Sequence, residues 1–119
     1  MLRLILPLAV TALTTLTARA DPPVIDHVTA QRAAGTWTFA VTLSHPDTGW
    51  DHYADAWRVL DMDGNELGIR VLLHPHETEQ PFTRSLGGVD IPRGTESVQI
   101  QARCLIDGWG ETLTRVQLR

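Results

Sequence analysis

Apolar and polar residues alternate with a period of two along most of the chain after residue 21, which is the pattern of half-buried β-strands. The clearest case is 36–44, where one face carries apolar side chains and the other carries threonines. The pattern predicts strands at 24–32, 36–44, 54–60, 67–73, 81–86, 97–106 and 111–118. We find no amphipathic helical spacing and no internal repeat.

Turn signals separate these segments, including the hairpin dipeptide Asp63-Gly64 and the run Asp107-Gly108-Trp109-Gly110. Seven short strands at regular spacing are typical of a β-sandwich. We therefore predict an all-β fold, an antiparallel sandwich of about seven strands, formed as one domain by residues 21–119. We expect the core to contain Trp37, Trp57, Val41, Val59, Ile69, Val71, Val98 and Ile100.

The strand pattern of 21–119 resembles immunoglobulin-like domains, and fibronectin type III domains in particular. The resemblance implies an immunoglobulin-like (fibronectin III-like) sandwich, although neither the antibody disulfide nor a tyrosine corner is present. A small open barrel is the alternative. The segments His45-Pro-Asp-Thr-Gly-Trp-Asp-His-Tyr-Ala-Asp-Ala-Trp57 and 73–86 also resemble small uncharacterised proteins of the Gram-negative periplasm, and this resemblance implies no activity.

The first twenty residues have the features of a secretory signal peptide. Arg3 supplies a positive charge, and residues 4–16 form an apolar run that is too short to span a bilayer. Ala18-Arg19-Ala20 then places small residues at the two positions that signal peptidase reads. We predict that residues 1–20 are removed before Asp21; a retained anchor is the alternative.

Export to the periplasm or beyond the cell follows from this prediction. No cysteine lies near the predicted cleavage site, which argues against a lipid anchor there, and no later segment is apolar and long enough to cross a membrane. Removing Arg3 and Arg19 from the ten basic residues leaves eight, against fourteen acidic residues. This acidic balance argues against nucleic acid and anionic lipid as partners, so we expect an unknown protein or a small ligand.

Cys104 is the only cysteine, so the chain forms no internal disulfide. It follows the apolar parity of the strand predicted at 97–106, and we interpret it as a buried, inert core residue. A reactive thiol or an intermolecular disulfide is the alternative.

Four of the five histidines fall in two polar loops: His45 and His52 in one, His74 and His76 in the other. An up-and-down path of the strands brings these two loops, and the turn at 107–110, to the same end of the sandwich. Imidazoles together with nearby aspartates suit zinc or copper(II). We therefore predict a metal site formed by these four histidines; the alternative is that they only bond loop backbone.

The same loops carry aromatic residues beside acidic ones, namely Trp50, Tyr53, Trp109 and Asp51. Indole faces next to carboxylates predict a site for a sugar or a cationic ligand, unless the tryptophans fold back over the core. A binding or interaction module is the function we favour. A small metal-dependent hydrolase with the same ligands is the alternative from another class, and no catalytic residue is assigned.

Overall fold

The computed structural model describes residues 2–13 and 21–119. Residues 2–13 are exposed and have no regular secondary structure, and the predicted cleavage site at 18–20 lies outside the described residues. Within the described part of the chain, no helix is long and apolar enough to cross a membrane. The signal peptide therefore stays a prediction.

Eight antiparallel strands form two sheets, which confirms the all-β class. The strands are β1 (Val24–Ala33), β2 (Thr36–Ser44), β3 (Ala54–Leu60), β4 (Glu66–Val71), β5 (Phe82–Val89), β6 (Ser97–Cys104), β7 (Gly108–Trp109) and β8 (Thr114–Gln117). One sheet has the order β1-β2-β5, and the other has the order β4-β3-β6-β7 with β8 also paired to β6. The described residues contain no helix.

The structure has one strand more than the seven predicted, because β7 lies within the segment 107–110 that the sequence predicts as a turn, and the last strand, predicted at 111–118, forms only at Thr114–Gln117. The chain turns at 105–107 instead of 107–110, and Gly108 takes a positive φ of 76° that favours glycine. β7 then pairs with the end of β6, where Arg103 lies opposite Trp109. The chain resumes pairing with β6 only at Thr114, opposite Ile100. The interruption follows from the loop at Gly110–Leu113, which the alternation of side chains does not reveal.

Apolar side chains from both sheets fill the space between them. Phe39, Val41 and Leu43 from β2 are fully buried and alternate with the less buried Thr38, Ala40 and Thr42. The opposite sheet contributes Trp57, Val59, Val98, Ile100 and Cys104, all of which are fully buried. Burial is therefore confirmed for Trp57 and for four of the predicted aliphatic residues, because their strands keep the alternation that the sequence shows.

Trp37 is only partly buried, although the sequence predicts it as a central core residue. The register between β2 and β5 shifts between Trp37 and Phe39, which marks a β-bulge or irregularity. Trp37 packs against the edge of the core and lines a surface cavity with Arg32 and Pro92. It closes one end of the sandwich.

The prediction that Ile69 and Val71 face the core is wrong: 37% of Ile69 and 47% of Val71 is exposed. The register between β3 and β4 shifts after the Leu60–Glu66 pair, so that Val59 lies opposite Gly68. A one-residue shift moves all later side chains to the other face. Leu72 is consequently the buried residue at the end of this segment.

The two loops with histidines do meet at one end of the sandwich. Leu43 pairs with Phe82, which places the end of β2 beside the start of β5. Ala54 pairs with Cys104, which places the start of β3 beside the end of β6. We call this end, formed by residues 45–53, 72–81 and 105–107, the loop pole.

Replacing Trp57 with alanine should lower the free energy of unfolding by about 3–5 kcal/mol, because the cavity left by a fully buried indole collapses only in part. Urea denaturation followed by circular dichroism measures this change. Trp50→Ala is the matched control: 66% of Trp50 is exposed, so its effect should stay within about 0.5 kcal/mol. Equal effects of the two substitutions would contradict this description of the core.

Candidate functional site

The buried carboxylate of Asp47 holds the loop pole together. Its side chain is fully inaccessible to solvent. His45 donates from Nδ1 to Oδ1 at 2.6 Å, and the Ala54 backbone N–H donates to the same oxygen at 3.0 Å. The His76 backbone N–H donates to Oδ2 at 2.8 Å. One side chain thus joins the start of the first loop, the start of β3 and the second loop.

The bond to Asp47 determines which nitrogen of His45 is free. A carboxylate only accepts hydrogen bonds, so a singly protonated ring carries its proton on Nδ1 and leaves a lone pair on Nε2. His45 Nε2 is buried and has no hydrogen-bond partner among the described residues. A buried polar atom without a partner is costly, and it requires an explanation.

His45, His52 and Cys104 form a group that could hold a metal ion. One ligand atom from each lies within 4.8 Å of the other two. The His45 and His52 rings meet edge to face, with their centroids 4.7 Å apart. Cys104 and His45 are buried and His52 is half-buried, so the group lies at the boundary between the core and solvent.

Backbone bonds position His52 and Cys104. The Thr48 N–H donates to the His52 carbonyl at 3.0 Å, and the His52 N–H donates to the Gly49 carbonyl at 3.1 Å. This tight turn requires a positive φ of 146° at Gly49. Cys104 ends β6 opposite Ala54, and the next N–H, that of Leu105, donates to the Tyr53 carbonyl at 3.0 Å. The two side chains therefore lie close together at the end of the paired central strands β3 and β6.

His74 and His76 lie outside this group. The His76 ring stacks on Phe82 with centroids 3.8 Å apart, and its Nε2 is 2.7 Å from Arg84 Nη2. A guanidinium only donates, so His76 Nε2 accepts. Burial of the ring, followed by the charge of Arg84, lowers the pKa of His76 below its ordinary value of 6.5. His74 is exposed, and its Nδ1 bonds the Pro75 carbonyl at 3.0 Å.

The aromatic residues predicted to bind a ligand separate into two places. Trp50 is largely exposed and contacts Tyr53 edge to face, with centroids 5.8 Å apart, while Asp51 is exposed beside them. Trp109 lies under two guanidinium groups, with Arg58 at 3.9 Å and Arg103 at 5.0 Å from its ring. Asp55 and Gln101 fix these arginines, so the indole of Trp109 is already stacked.

Sequence reasoning missed Cys104 as a member of the site. Its burial is confirmed, and the alternating parity that predicted this burial is correct. That parity does not show that the residue ends its strand beside His45 and His52. No sequence signal marks Cys104 as the end of its strand, because the apolar alternation continues to Ile106.

Comparison with known proteins shows a similarity to an archaeal protein. A protein of the archaeon Halomicrobium mukohataei, named “Putative lipoprotein”, is 46% identical over 84 residues. The match covers 70% of this chain but 41% of that protein, so the chain spans less than half of its relative. No family model matches the chain, and no solved structure matches it. The resemblance to Gram-negative periplasmic proteins stays a prediction.

Replacing Asp47 with alanine should lower the free energy of unfolding of the metal-free protein by several kcal/mol, because each buried donor left without an acceptor costs about 1–3 kcal/mol. The Ala54 and His76 N–H groups would lose their acceptor. Denaturation in the presence of a chelator measures this loss. Asp51→Ala is the control, since Asp51 is exposed; a similar small effect for both would contradict the role of Asp47.

Stability should decrease as the pH falls below 6.5. The lowered pKa of His76 means that the unfolded chain binds a proton in this range while the folded chain does not, so protonation favours unfolding. The contribution is fully present above pH 6.5 and is lost progressively below it. His76→Gln should weaken this pH dependence in denaturation curves, whereas His27→Gln, at an exposed position of β1, should weaken it less.

Proposed function

We propose that this chain is a binding module of the cell envelope that holds a divalent transition-metal ion at its loop pole through His45 and His52. The observation that carries the proposal is the buried Nε2 of His45, which has no partner among the described residues. The bond to Asp47 leaves the lone pair on Nε2, and the His45 and His52 rings meet edge to face with their centroids 4.7 Å apart. Metal-bound histidines commonly donate their other ring N–H to a carboxylate in this way.

The alternative, in which the histidines only form hydrogen bonds within the loops, fits His74 and His76 better than His45 and His52. His74 Nδ1 bonds a carbonyl oxygen and His76 Nε2 accepts from a guanidinium, although His76 Nδ1 is also buried without a hydrogen bond among the described residues. No comparable partner satisfies His45 Nε2 in the described residues. A metal ion would supply the missing partner of His45, and the proposal assigns no ligand role to His74 or His76 because neither belongs to the group of ligand atoms that includes His45 and His52.

The proposed fold is the immunoglobulin-like, fibronectin III-like form of the sandwich. In support, the chain passes from one sheet to the other after β2, after β4 and after β5, so each sheet mixes early and late strands. Such crossings are typical of Greek-key sandwiches. They bring loops from different parts of the chain to each end, as in binding modules of this architecture.

The envelope location is part of the proposal. It is supported by the predicted signal peptide at 1–20 and by the name of the archaeal relative, “Putative lipoprotein”. The periplasm is the location that the signal peptide favours. A protein or small ligand that reaches the exposed Trp50 and the half-buried Tyr53 is the proposed partner class.

The purified domain at 21–119 should bind one zinc or copper(II) ion, and binding should weaken as the pH falls because only neutral imidazole coordinates. Isothermal titration calorimetry of protein made without a histidine tag measures this. His45→Ala and His52→Ala should each abolish binding, whereas His74→Ala should leave it unchanged. Absence of binding by the unmodified domain would refute the proposal, and hydrolysis of an ester or phosphoester substrate by the metal-loaded domain would favour the hydrolase alternative.

A further inference from the structure

We infer that Cys104 is the third ligand and that the loop pole is a thiolate centre of two histidines and one cysteine for a thiophilic divalent ion, copper(II) or zinc. This inference rests on the proposed function and extends it to the class of metal. Cys104 is fully buried, and its sulfur belongs to the group whose ligand atoms lie within 4.8 Å of one another. Imidazole and thiolate together select copper and zinc over magnesium and calcium.

The spacing of the three side chains suits a mononuclear site. Ligand atoms about 2.0–2.3 Å from one ion lie roughly 3.3–3.9 Å apart in trigonal or tetrahedral geometry. The observed limit of 4.8 Å therefore requires shifts of only about 1 Å. Small rotations of the half-buried His52 ring would provide most of this movement, since its backbone is fixed in the turn at 49–52.

Charge also favours a divalent ion bound by thiolate. Binding would convert Cys104–SH and the free ion into a sulfur–metal bond and a proton, which leaves to solvent. The thiolate and the Asp47 carboxylate together carry two negative charges, which balance a divalent ion at a site where both side chains are inaccessible. An unbalanced charge at this depth would be costly.

Asp47 is a positioning residue in this centre. It does not belong to the group of ligand atoms, but it fixes the proton of His45 on Nδ1 and so leaves Nε2 for the ion. Met62, the only methionine of 21–119, lies in the β3–β4 hairpin at the far end of β3 from His52. The three protein ligands therefore leave a fourth position for water or an external ligand, as in open zinc sites.

Cobalt(II) and copper(II) test the sulfur ligand directly by absorption spectroscopy. The unmodified domain should show a thiolate-to-metal charge-transfer band with each ion, and cobalt(II) should also give intense visible bands typical of four-coordination. Cys104→Ser should remove the charge-transfer band and weaken binding by about tenfold or more, while His74→Ala should keep both. Calorimetry in buffers of different ionisation enthalpy should show release of the thiol proton, which Cys104→Ser abolishes.

The outcomes separate this inference from the proposed function. Metal binding without a charge-transfer band in the unmodified domain would overturn the thiolate centre and leave a site of histidines. Unchanged affinity in Cys104→Ser would do the same. Failure of the unmodified domain to bind any of these ions would overturn both. The decisive spectrum is measured on the unmodified chain, so it does not depend on whether the Cys104→Ser variant folds; Cys104→Ala provides a second variant.

Discussion

The buried carboxylate of Asp47 is the interaction on which the loop pole depends. The imidazole of His45 and the backbone N–H groups of Ala54 and His76 all donate hydrogen bonds to it. A carboxylate at this depth is tolerated only when its oxygens are bonded. The same bonds close the two loops over the end of the core and set the proton position on His45, so structural closure and the chemistry of the candidate site have one cause.

Histidines of one loop pole thus have two different environments. His45 has one bonded nitrogen and one nitrogen without a partner among the described residues, and it belongs to the group with His52 and Cys104, which suits a ligand. His76 stacks on Phe82 and accepts from Arg84, which suits a neutral packing residue with a lowered pKa. The difference arises from the neighbouring strands. Phe82 and Arg84 of β5 contact His76, whereas Cys104 at the end of β6 lies beside His45. Residue type alone does not separate these roles.

Irregularities in strand register also decide which side chains reach the outer surface of the sandwich. The register shift between β3 and β4 turns Ile69 and Val71 outward, and Leu73 beyond them is 73% exposed. On the outer face of the same sheet, Trp109 is covered by Arg58 and Arg103. The indole of Trp109, which the sequence predicts to bind a ligand, is therefore packed against these two arginines, while Trp50 at the loop pole is exposed to solvent.

The sequence by itself determined the all-β class, the bounds of β2 and β3, and the burial of Trp57 and Cys104, because alternation along a single strand depends only on neighbouring residues. It also determined that the histidine loops meet, since hairpin connections return the chain to the same end. The tertiary structure decided the faces of Ile69 and Val71, the extra strand β7, and the grouping of His45 and His52 with Cys104. These features depend on register between strands and on loop closure by Asp47, which are set by contacts between residues that lie far apart in the chain.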